Sequence, residues 1–334
     1  MTQTPPSASN PDVRTDDRRE VQILMASYQG ARYIQEQLNS IATQAYPHWR
    51  LFVSDDGSQD DTRRLIANFA DTHGHRRIHL IDGPRQGATQ NFLHLIRMAP
   101  RDRMLAFCDQ DDVWHPEKIE RAVSKLARIS GPAHYAARTT ITDENLEPVA
   151  QSRHFSRPLT FRNALVQACM AGNTSVFNPA AAALLKAGVE AASSADIQSH
   201  DWWAYQLTSG AGAKIIHDHH PVLLYRQHGM AEMGRNDTTS AMAKRLGQLF
   251  AGDFGKWVAA NHTALNASRT LLTEDNRRIL DLTIAALRCK GPVAAQRLYH
   301  LGLYRQTRAG TAALMAATAT GRLRQPFSAS RRSR

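Results

Sequence analysis

Short apolar runs alternate with segments of helical periodicity through the first 130 residues of the chain. The apolar runs are Val21–Ala26, Arg50–Ser54, Arg77–Asp82 and Met104–Cys108. The segments with apolar residues at helical spacing are Tyr33–Thr43, Asp61–His73, Thr89–Met98 and Pro116–Ile129. Strict alternation of strand and helix predicts an α/β protein with a Rossmann-like, mostly parallel central sheet flanked by helices. Strands that are apolar throughout fit burial on both faces of the sheet.

The alternation becomes less regular after residue 132. A strand is predicted over His134–Thr142, a turn over Asp143–Pro148, a helix over Pro179–Ala192, a further helix from about Asp201, and a strand over Val222–Tyr225. From about Ser240 the chain is rich in Ala, Leu and Arg and has few strand signals, so this last part is predicted to be helical.

Charge divides the chain unevenly. The net charge is +11; residues 235–334 hold 17 Lys and Arg against 5 Asp and Glu, a balance of +12, whereas residues 1–234 hold 24 against 25, a balance of −1. Residues 1–19, rich in Pro, Ser, Thr and charge, are predicted to be a disordered tail. Residues 20–234 form the predicted main domain, and 235–334 a helical basic C-terminal extension. Such an extension fits nucleic acid, an anionic membrane, or solvated helix faces.

Cysteine usage and hydropathy bear on the compartment. The three cysteines, Cys108, Cys169 and Cys289, are far apart and form no CxxC pair, which predicts neither a disulfide framework nor a zinc site. No apolar run approaches the roughly 18–20 residues that span a bilayer, and the N-terminus lacks the order of a signal peptide. We therefore expect a cytoplasmic protein.

Acidic residues follow the ends of predicted strands. The second strand leads into Asp55 and Asp56, and the fourth leads into Asp109-Gln110-Asp111-Asp112, while the first leads into Ala26-Ser27-Tyr28. Ligands of open parallel sheets bind beyond the carboxyl ends of the strands. Five clustered carboxylates repel one another unless a cation lies among them. Mg²⁺ or Mn²⁺, which prefer oxygen ligands and often share a substrate diphosphate, are the expected cofactors.

Three further clusters lie in the second half of the main domain. His200-Asp201-Trp202-Trp203 places a carboxylate beside two large aromatic rings. Arg226 and His228 follow the late apolar strand, and Gly172-Asn173 precede the apolar pair Val176-Phe177.

The motifs together resemble those of a family 2 glycosyltransferase with a GT-A fold, of the rhamnosyltransferase-like branch. The resemblance runs through ILMASYQGARYIQEQLNSIATQAYPHWRLFVSDDGSQDDT, GATQNF, AFCDQDDVWHPEKIE, AGNTSVFNP, HDWWAYQL and YRQHGM, in that order. It covers about residues 20–234 and implies a nucleotide-binding half, 20–130, and an acceptor and catalytic half, 131–234. Two positions depart from the family pattern: Asn173 stands where relatives often carry Cys, and Gln29 replaces a common Asn.

The resemblance implies roles for individual residues. Nucleotide-binding residues would be Ala26, Tyr28, Asp55, Asp56, Asp109 and Asp111, with Asp55 accepting from a pyrimidine N3–H. Asp111, Asp112 and His228 would hold the metal, and Asp201 would be the catalytic base. Residues at the acceptor or sugar would be Gly172, Asn173, His200, Trp202, Trp203 and Arg226, the two Trp rings forming an apolar platform or shaping the pocket of the base.

The implied activity is inverting transfer of a sugar, rhamnose or a related hexose, from a nucleoside-diphosphate donor such as dTDP-rhamnose. The acceptor would be a glycan or lipid-linked intermediate of surface polysaccharide, reached by peripheral contact of the basic extension with the inner face of the membrane. No nucleic acid is expected as a partner.

Three alternatives remain open at this point. A nucleotidyltransferase typically carries a Gly-rich basic loop after strand one, where this chain reads ASYQGARY. A nucleic-acid-binding protein leaves the acids unexplained, and a non-catalytic sugar binder leaves the catalytic groups unexplained.

Overall fold

The computed structural model describes residues 20–75, 77–100, 102–229 and 252–324. The predicted tail 1–19 and the first part of the predicted extension, 235–251, lie outside the described residues. The strands are β1 Val21–Ser27, β2 Trp49–Asp55, β3 Ile78–Asp82, β4 Met104–Cys108, β5 Val113–Trp114, β6 Ala133–Thr142, β7 Pro148–Gln151, β8 Val176–Phe177 and β9 Lys214–Arg226. The helices are α1 Ile34–Ala42, α2 Thr62–His73, α3 Ala88–Met98, α4 Lys118–Leu126, α5 Phe161–Ala164, α6 Pro179–Ser194, α7 His200–Gly210, α8 Asp253–Ala267, α9 Glu274–Leu287, α10 Gly291–His300 and α11 Arg308–Ala319.

One sheet organises the main domain, with strand order β3-β2-β1-β4-β8-β6-β9-β5 and β7 paired to β6. The first four strands in this order are parallel, as predicted. Their registers align the strand ends: Ser27 lies opposite Asp55, and Asp55 opposite Asp82. The loops that follow β1, β2, β3 and β4 therefore meet along one edge of the sheet.

The other half of the sheet adds short antiparallel pairs to the predicted parallel arrangement. β8 is antiparallel to both β4 and β6, β5 and β7 are also antiparallel to their neighbours, and only β6 and β9 pair in parallel. The sheet as a whole is mixed. The sequence did not predict β5, β7 and β8, because strands of two to four residues are too short to show a periodicity.

Apolar side chains cover both faces of the sheet, as predicted. In β1, Ile23 and Met25 pack on one side with α1, α2 and α4, whereas Leu24 packs on the other with α3, α6 and α7. This alternation follows from the two-residue repeat of a strand.

The C-terminal helices belong to the second of these cores. Val258, Leu265, Leu280 and Leu314, from helices α8, α9 and α11, are buried in the same cluster as Leu24. The predicted helical character of the extension is confirmed over α8 to α11. In the part of the chain that the structure describes, no helix combines the length and apolar character that a membrane span requires.

Candidate active site

Asp55 is the last residue of β2, and its side chain holds the loop that follows. Its carboxylate accepts hydrogen bonds from the Ser27 Oγ (3.0 Å), the Ser58 N and Oγ (2.9 and 2.6 Å), the Gly57 N (3.3 Å) and the Arg63 guanidinium (3.3 Å). Burial alone would raise the pKa of Asp55, which is 1% exposed, but these donors outweigh it and lower the pKa below the ordinary value. The predicted contact with a pyrimidine N3–H would replace one of these bonds.

Asp56 is directed to the neighbouring loop, after β3. Its two oxygens accept from the backbone N–H of Arg85 (2.6 Å) and of Gly87 (2.7 Å), and only 8% of the residue is exposed. Its own N–H donates to the Ser27 carbonyl (2.8 Å). Asp56 therefore fixes the loops after β1, β2 and β3 relative to one another.

The loop after β1 presents an aromatic ring to solvent. Tyr28 is 55% exposed, and Ala26 is partly buried against the core. The Gln110 side chain bridges to the backbone of Tyr28, accepting from its N–H (3.0 Å) and donating to its carbonyl (2.9 Å). Gly30 leaves room for this bridge, since a Cβ there would lie 2.1 Å from the Gln110 Oε1.

Asp112 is the innermost acid of the loop after β4. It is fully buried, accepts from the Asn173 Nδ2 (2.7 Å), and lies 3.4 Å from the Arg226 N–H. Burial and the nearby Asp111 and Asp109 raise its pKa well above the ordinary value. Asn173, predicted to face the acceptor, is itself 6% exposed and holds Asp112.

Asp111 lies nearer the surface and meets the end of β9. Its Oδ2 is 2.8 Å from the His228 Nε2, and the two side chains are 21% and 7% exposed. The His228 ring packs on Tyr33 at 4.6 Å between centroids. Asp109, at the start of the same loop, is partly exposed. The structure thus brings together two of the three predicted metal ligands, while Asp112 points inward.

Arg226, expected among the residues at the acceptor or sugar, is buried inside the protein. It is 3% exposed, its Nε donates to the Asp111 carbonyl (2.9 Å), and its other nitrogens bind the Glu144 carbonyl and the Glu36 carboxylate. The reason is that protein acceptors already surround the guanidinium. The bond from the guanidinium to the Asp111 carbonyl ties β9 to the Asp109–Asp112 loop.

Asp201 lies in the first turn of α7. Its Oδ1 accepts from the Trp202 N–H (2.6 Å) and from the Ser199 Oγ, and its Oδ2 accepts from the Gly172 N–H (3.1 Å). Ser199 is the N-cap of the helix, a position where Ser is strongly preferred. The carboxylate is therefore held in one orientation by three donors.

His200 precedes Asp201 and is packed between aromatic rings. It stacks on Phe92 at 3.8 Å between centroids and meets Phe107 edge-on at 5.1 Å. Burial lowers its pKa to about 4, so the ring is neutral at pH 7. A Cβ on Gly172 would lie 2.9 Å from the His200 Nε2, which explains why a residue without a side chain stands at 172.

The two tryptophans after Asp201 lie in the interior. Trp202 is 4% exposed, donates from Nε1 to the Ala164 carbonyl (2.7 Å) and stacks on Phe254; Trp203 is fully buried. A sugar ring stacks on an exposed face, which neither ring offers, so the structure corrects the predicted platform. The rings instead anchor α7 in the core.

Several residues at the site were not predicted from the sequence. Gln110 and Ser58 hold the loops, Ser199 holds Asp201, and Arg85 lies beside Gly57. Only Ser199 had a recognisable sequence signal, as a capping residue before a helix. Within residues 20–229 and 252–324, positions 76 and 101 aside, no three His, Cys, Asp or Glu side chains are arranged to hold a metal ion.

Comparison with known proteins agrees with this architecture. The family profile for glycosyl transferase family 2 matches residues 22–190, just over half of the chain. The chain therefore belongs to this family and is a glycosyltransferase, which confirms the predicted resemblance. The alternatives, a nucleotidyltransferase and a nucleic-acid-binding protein, receive no support.

Two individual relatives are named for particular glycosyl transfer reactions. The dTDP-rhamnosyl transferase RfbG of Shigella flexneri is 30% identical over 234 residues, covering 67% of this chain and 78% of that protein. The UDP-Glc:alpha-D-GlcNAc-diphosphoundecaprenol beta-1,3-glucosyltransferase WfgD of Escherichia coli is 31% identical over 108 residues, 32% of this chain and 41% of WfgD.

Solved structures support the fold. The crystal structures of residues 1–349 of TarS from S. aureus, in complex with UDP-GlcNAc and with UDP, superpose with TM-scores of 0.50 and 0.51 at 15% and 14% identity. Each covers 92% of this chain and 93% of TarS 1–349. The predicted GT-A fold is confirmed.

Proposed function

We propose that this glycosyltransferase moves rhamnose or a related hexose from a nucleoside-diphosphate donor to a hydroxyl of a glycan or lipid-linked acceptor, with Asp201 as the base. The similarity to RfbG, whose name specifies dTDP-rhamnose chemistry, supports the donor. The name of WfgD, which specifies a diphosphoundecaprenol-linked acceptor, supports the acceptor class.

One observation supports the proposed role of Asp201 as the base. The consecutive residues Gly172 and Asn173 bind Asp201 and Asp112, respectively, through the Gly172 N–H and the Asn173 side chain. Neighbouring Cα atoms are about 3.8 Å apart, so this short segment brings the first turn of α7 close to the acid loop after β4. A base at Asp201 is therefore beside the edge of the sheet where the donor diphosphate would lie.

The proposed reaction is a single displacement at the anomeric carbon. The acceptor oxygen forms a bond to that carbon while its proton passes to the Asp201 carboxylate. The bond from the anomeric carbon to the diphosphate oxygen breaks, and its electron pair leaves with the nucleoside diphosphate. The donors at Ser199, Trp202 and Gly172 fix the carboxylate for this role, so part of the rate gain is positional.

Asp111 and His228 fit a divalent cation. The Asp111 Oδ2 and His228 Nε2, an oxygen and a nitrogen of types that bind divalent cations, are separated by 2.8 Å and would hold the ion. A bound Mg²⁺ or Mn²⁺ supplies Lewis-acid stabilisation of charge on the departing diphosphate.

The role of Asp201 is tested with Asp201→Asn. The amide still accepts from the Gly172 N–H but takes up no proton, so transfer should fall roughly 10²- to 10⁴-fold. Binding of the nucleoside diphosphate, measured by calorimetry, should remain unchanged. The control Asp196→Asn changes an exposed acid in the preceding loop and should retain activity. Near-normal turnover by Asp201→Asn would remove this residue from the mechanism.

The metal site is tested with Asp111→Asn and His228→Gln. Affinity for dTDP is measured with MnCl₂ and again without added metal. The wild type should bind more tightly with Mn²⁺, and both variants should lose that gain while keeping the metal-free affinity. An unchanged response to Mn²⁺ in both variants would contradict the site.

The donor is tested by thermal stabilisation with a panel of sugar nucleotides, where dTDP-rhamnose should raise the melting temperature most. A larger rise with another sugar nucleotide would reassign the donor.

Contact with an anionic membrane is the proposed role of the C-terminal helices. Residues 252–324 hold 11 Lys and Arg against 4 Asp and Glu, a balance of +7, and expose Leu282, Val293 and Tyr299. This combination suits binding at a lipid surface by charge and shallow apolar contact. The protein should sediment with vesicles containing anionic phospholipid and not with neutral vesicles. Equal sedimentation with both, or with neither, would count against the proposal.

A further inference from the structure

A cavity of about 430 Å³ lies where α8 is joined to α9. Its walls come from the short 3₁₀ turn Arg269–Leu271 and from the first turns of α9. The lining residues are Arg269, Thr270, Glu274, Arg277, Arg278 and Asp281. The volume falls within the range of roughly 300–1,000 Å³ that is usual for sites of small molecules. No residue assigned to the proposed active site lines this cavity, so binding of the sugar donor does not account for it.

The walls of the cavity are fixed to the end of α7. The Thr273 side chain caps α9 by accepting from the Asn276 N–H (3.3 Å), and the Thr273 N–H donates to the Gly210 carbonyl (3.0 Å). The Asn276 amide donates to the carbonyls of Ser209 and Gly210 (3.3 and 2.9 Å). Leu272 is 4% exposed and packs beside Gly210, where a Cβ would lie 2.7 Å from the Leu272 Cδ2. The cavity is therefore part of the folded core structure.

The arginines of the cavity are only partly neutralised by protein acids. Arg269 pairs with Asp281 at 2.8 Å. In the part of the chain that the structure describes, Arg277 and Arg278 form no ion pair and no side-chain hydrogen bond. Glu274 is the other acid of the lining, which therefore holds three arginines and two carboxylates. Unpaired guanidinium groups in one cavity repel each other, and an anion bound between them would remove that repulsion.

The two unpaired arginines suit an anion of the phosphate type. A guanidinium presents a planar fork of N–H donors that matches two oxygens of a phosphate group, and such charge-assisted hydrogen bonds are roughly twice as strong as neutral ones. The Thr270 hydroxyl adds a further donor to the lining. Asp201 and Gly210 lie at opposite ends of α7, about 14 Å apart at the usual helical rise. The cavity lies at the Gly210 end, so its anion is separate from the donor diphosphate.

The surface beside the cavity indicates a lipid as the source of the phosphate. Leu282 is 45% exposed and follows Arg278 by four residues, so both side chains lie on the same face of α9, one turn apart. The opposite face of the helix is in the core, where Ile279, Leu280 and Leu287 are buried. A cation one turn from an exposed leucine matches the boundary of a membrane, where the leucine enters the apolar layer and the arginine stays with the headgroups.

We propose that Arg277 and Arg278 bind the phosphate group of a membrane lipid in this cavity, with Leu282 inserted beside it. This assignment rests on the proposed membrane contact of the C-terminal helices and gives that contact a specific site. A diffuse attraction depends on the number of cations near the surface, so it weakens equally when any two of them are removed. A site depends on which two are removed.

The first experiment measures sedimentation with vesicles made of equal parts of phosphatidylcholine and phosphatidic acid. The double variant Arg277→Gln/Arg278→Gln should lose about tenfold to a hundredfold in apparent affinity, as expected for loss of charge-assisted hydrogen bonds. Lys290→Gln/Arg308→Gln is the matched control, because both residues are exposed cations of the same helical region that lie outside the cavity. The control removes the same charge and should lose several-fold less.

A soluble lipid separates binding in the cavity from attraction to a charged surface. Dihexanoyl phosphatidic acid is titrated by calorimetry below the concentration at which it forms micelles, with EDTA present to remove divalent cations. It should bind the wild type at one site per chain, and the cavity variant should lose this binding while the control keeps it. Inorganic phosphate should bind more weakly, because it has no chains to contact Leu282. Equal affinity for inorganic phosphate would overturn the assignment to a lipid.

The outcomes separate the site from the membrane contact on which it rests. Equal losses by the two double variants in sedimentation would overturn the site and leave the membrane contact standing. If the wild type does not sediment with these vesicles, it is the proposed membrane contact that fails. Melting temperatures check that the variants fold. Arg278→Gln alone changes a single exposed residue and should lose part of the same affinity, so it repeats the test if the double variant is unstable.

Discussion

Two acidic loops that lie on either side of β1 at the edge of the sheet use the same residue type in opposite ways. Asp55 and Asp56, after β2, are directed to donors of their own and adjoining loops, namely hydroxyl groups, backbone N–H groups and Arg63. Asp111 and Asp112, after β4, have fewer donors and lie beside each other. Asp112 meets one amide and one distant N–H, and Asp111 meets His228.

The difference is visible in the pKa values. Burial pushes the pKa of both Asp55 and Asp112 upward. At Asp55 the donors outweigh burial and the pKa falls, whereas at Asp112 the neighbouring carboxylates add to burial and the pKa rises. Protein donors thus stabilise the charged form of Asp55 in the first loop, whereas burial and the neighbouring carboxylates disfavour the charged form of Asp112 in the second. The proposed cation at Asp111 would offset this repulsion among the carboxylates of the second loop.

The largest expected effect that separates the loops is on stability. Asp55→Asn places an amide NH₂ among donors that had bound a carboxylate, and should lower the free energy of unfolding by about 2–4 kcal/mol. Asp112→Asn replaces a buried acid whose charged form is disfavoured by burial and by its neighbours, and it keeps an acceptor for Asn173, so it should cost about 1 kcal/mol or less. Urea denaturation of both variants measures the comparison.

An exposed acid gives the baseline for these substitutions. Asp61 is exposed and its carboxylate pairs with the exposed Arg64, so Asp61→Asn should leave the free energy of unfolding nearly unchanged. If Asp112→Asn is as destabilising as Asp55→Asn, the two loops do not differ in the way their hydrogen bonds indicate.

The sequence predicts the position of the first loop better than it predicts the partners of the carboxylates in that loop. The strand ends and the convergence of the loops at one edge follow from periodicity alone, and the structure agrees with them for β1 to β4. The role of Asp56 does not follow, because its partners are the backbone N–H groups of Arg85 and Gly87, about thirty residues along the chain. The sequence predicts a cation among all five carboxylates. In the structure, hydrogen-bond donors of the protein already satisfy Asp55 and Asp56.

The burial of Arg226 and Trp202, both predicted to contact the acceptor or sugar, could not be predicted from the sequence for the same reason. Arg226 is neutralised by Glu36, which precedes it by 190 residues, and Trp202 stacks on Phe254 of the C-terminal helices. Whether a polar or aromatic residue near a catalytic acid faces solvent depends on such distant partners. A pattern of neighbouring residues contains no information about them.

Acid titration sharpens the comparison at Asp55. Because its folded-state pKa lies below the unfolded value of about 3.9, its contribution to stability is complete above about pH 5 and is lost as the pH falls through the folded-state pKa. The stability gap between the wild type and Asp55→Asn should be constant from pH 7 to pH 5 and shrink below about pH 4. Other acids, including Asp60, are common to both proteins and cancel in the difference. A gap that widens toward pH 3 would have the wrong sign.

The smallest expected effect concerns the bridge by which Gln110 of the second loop holds the backbone of Tyr28, in the loop after β1 that lies between the two acidic loops. A Cβ at Gly30 would displace the Gln110 amide, and both bonds to Tyr28 would be lost. Gly30→Ala should therefore cost about 1 kcal/mol. Gly131→Ala is the matched control: a Cβ there meets nothing within 4 Å, so it should be neutral or slightly stabilising.

A double-mutant cycle with Gln110→Ala isolates this bridge. Each single change breaks the same two bonds. The double variant should therefore be as stable as the less stable of the two single variants, and the coupling free energy between the two positions should be about 1 kcal/mol. Additive losses would show that Gly30 acts through another contact.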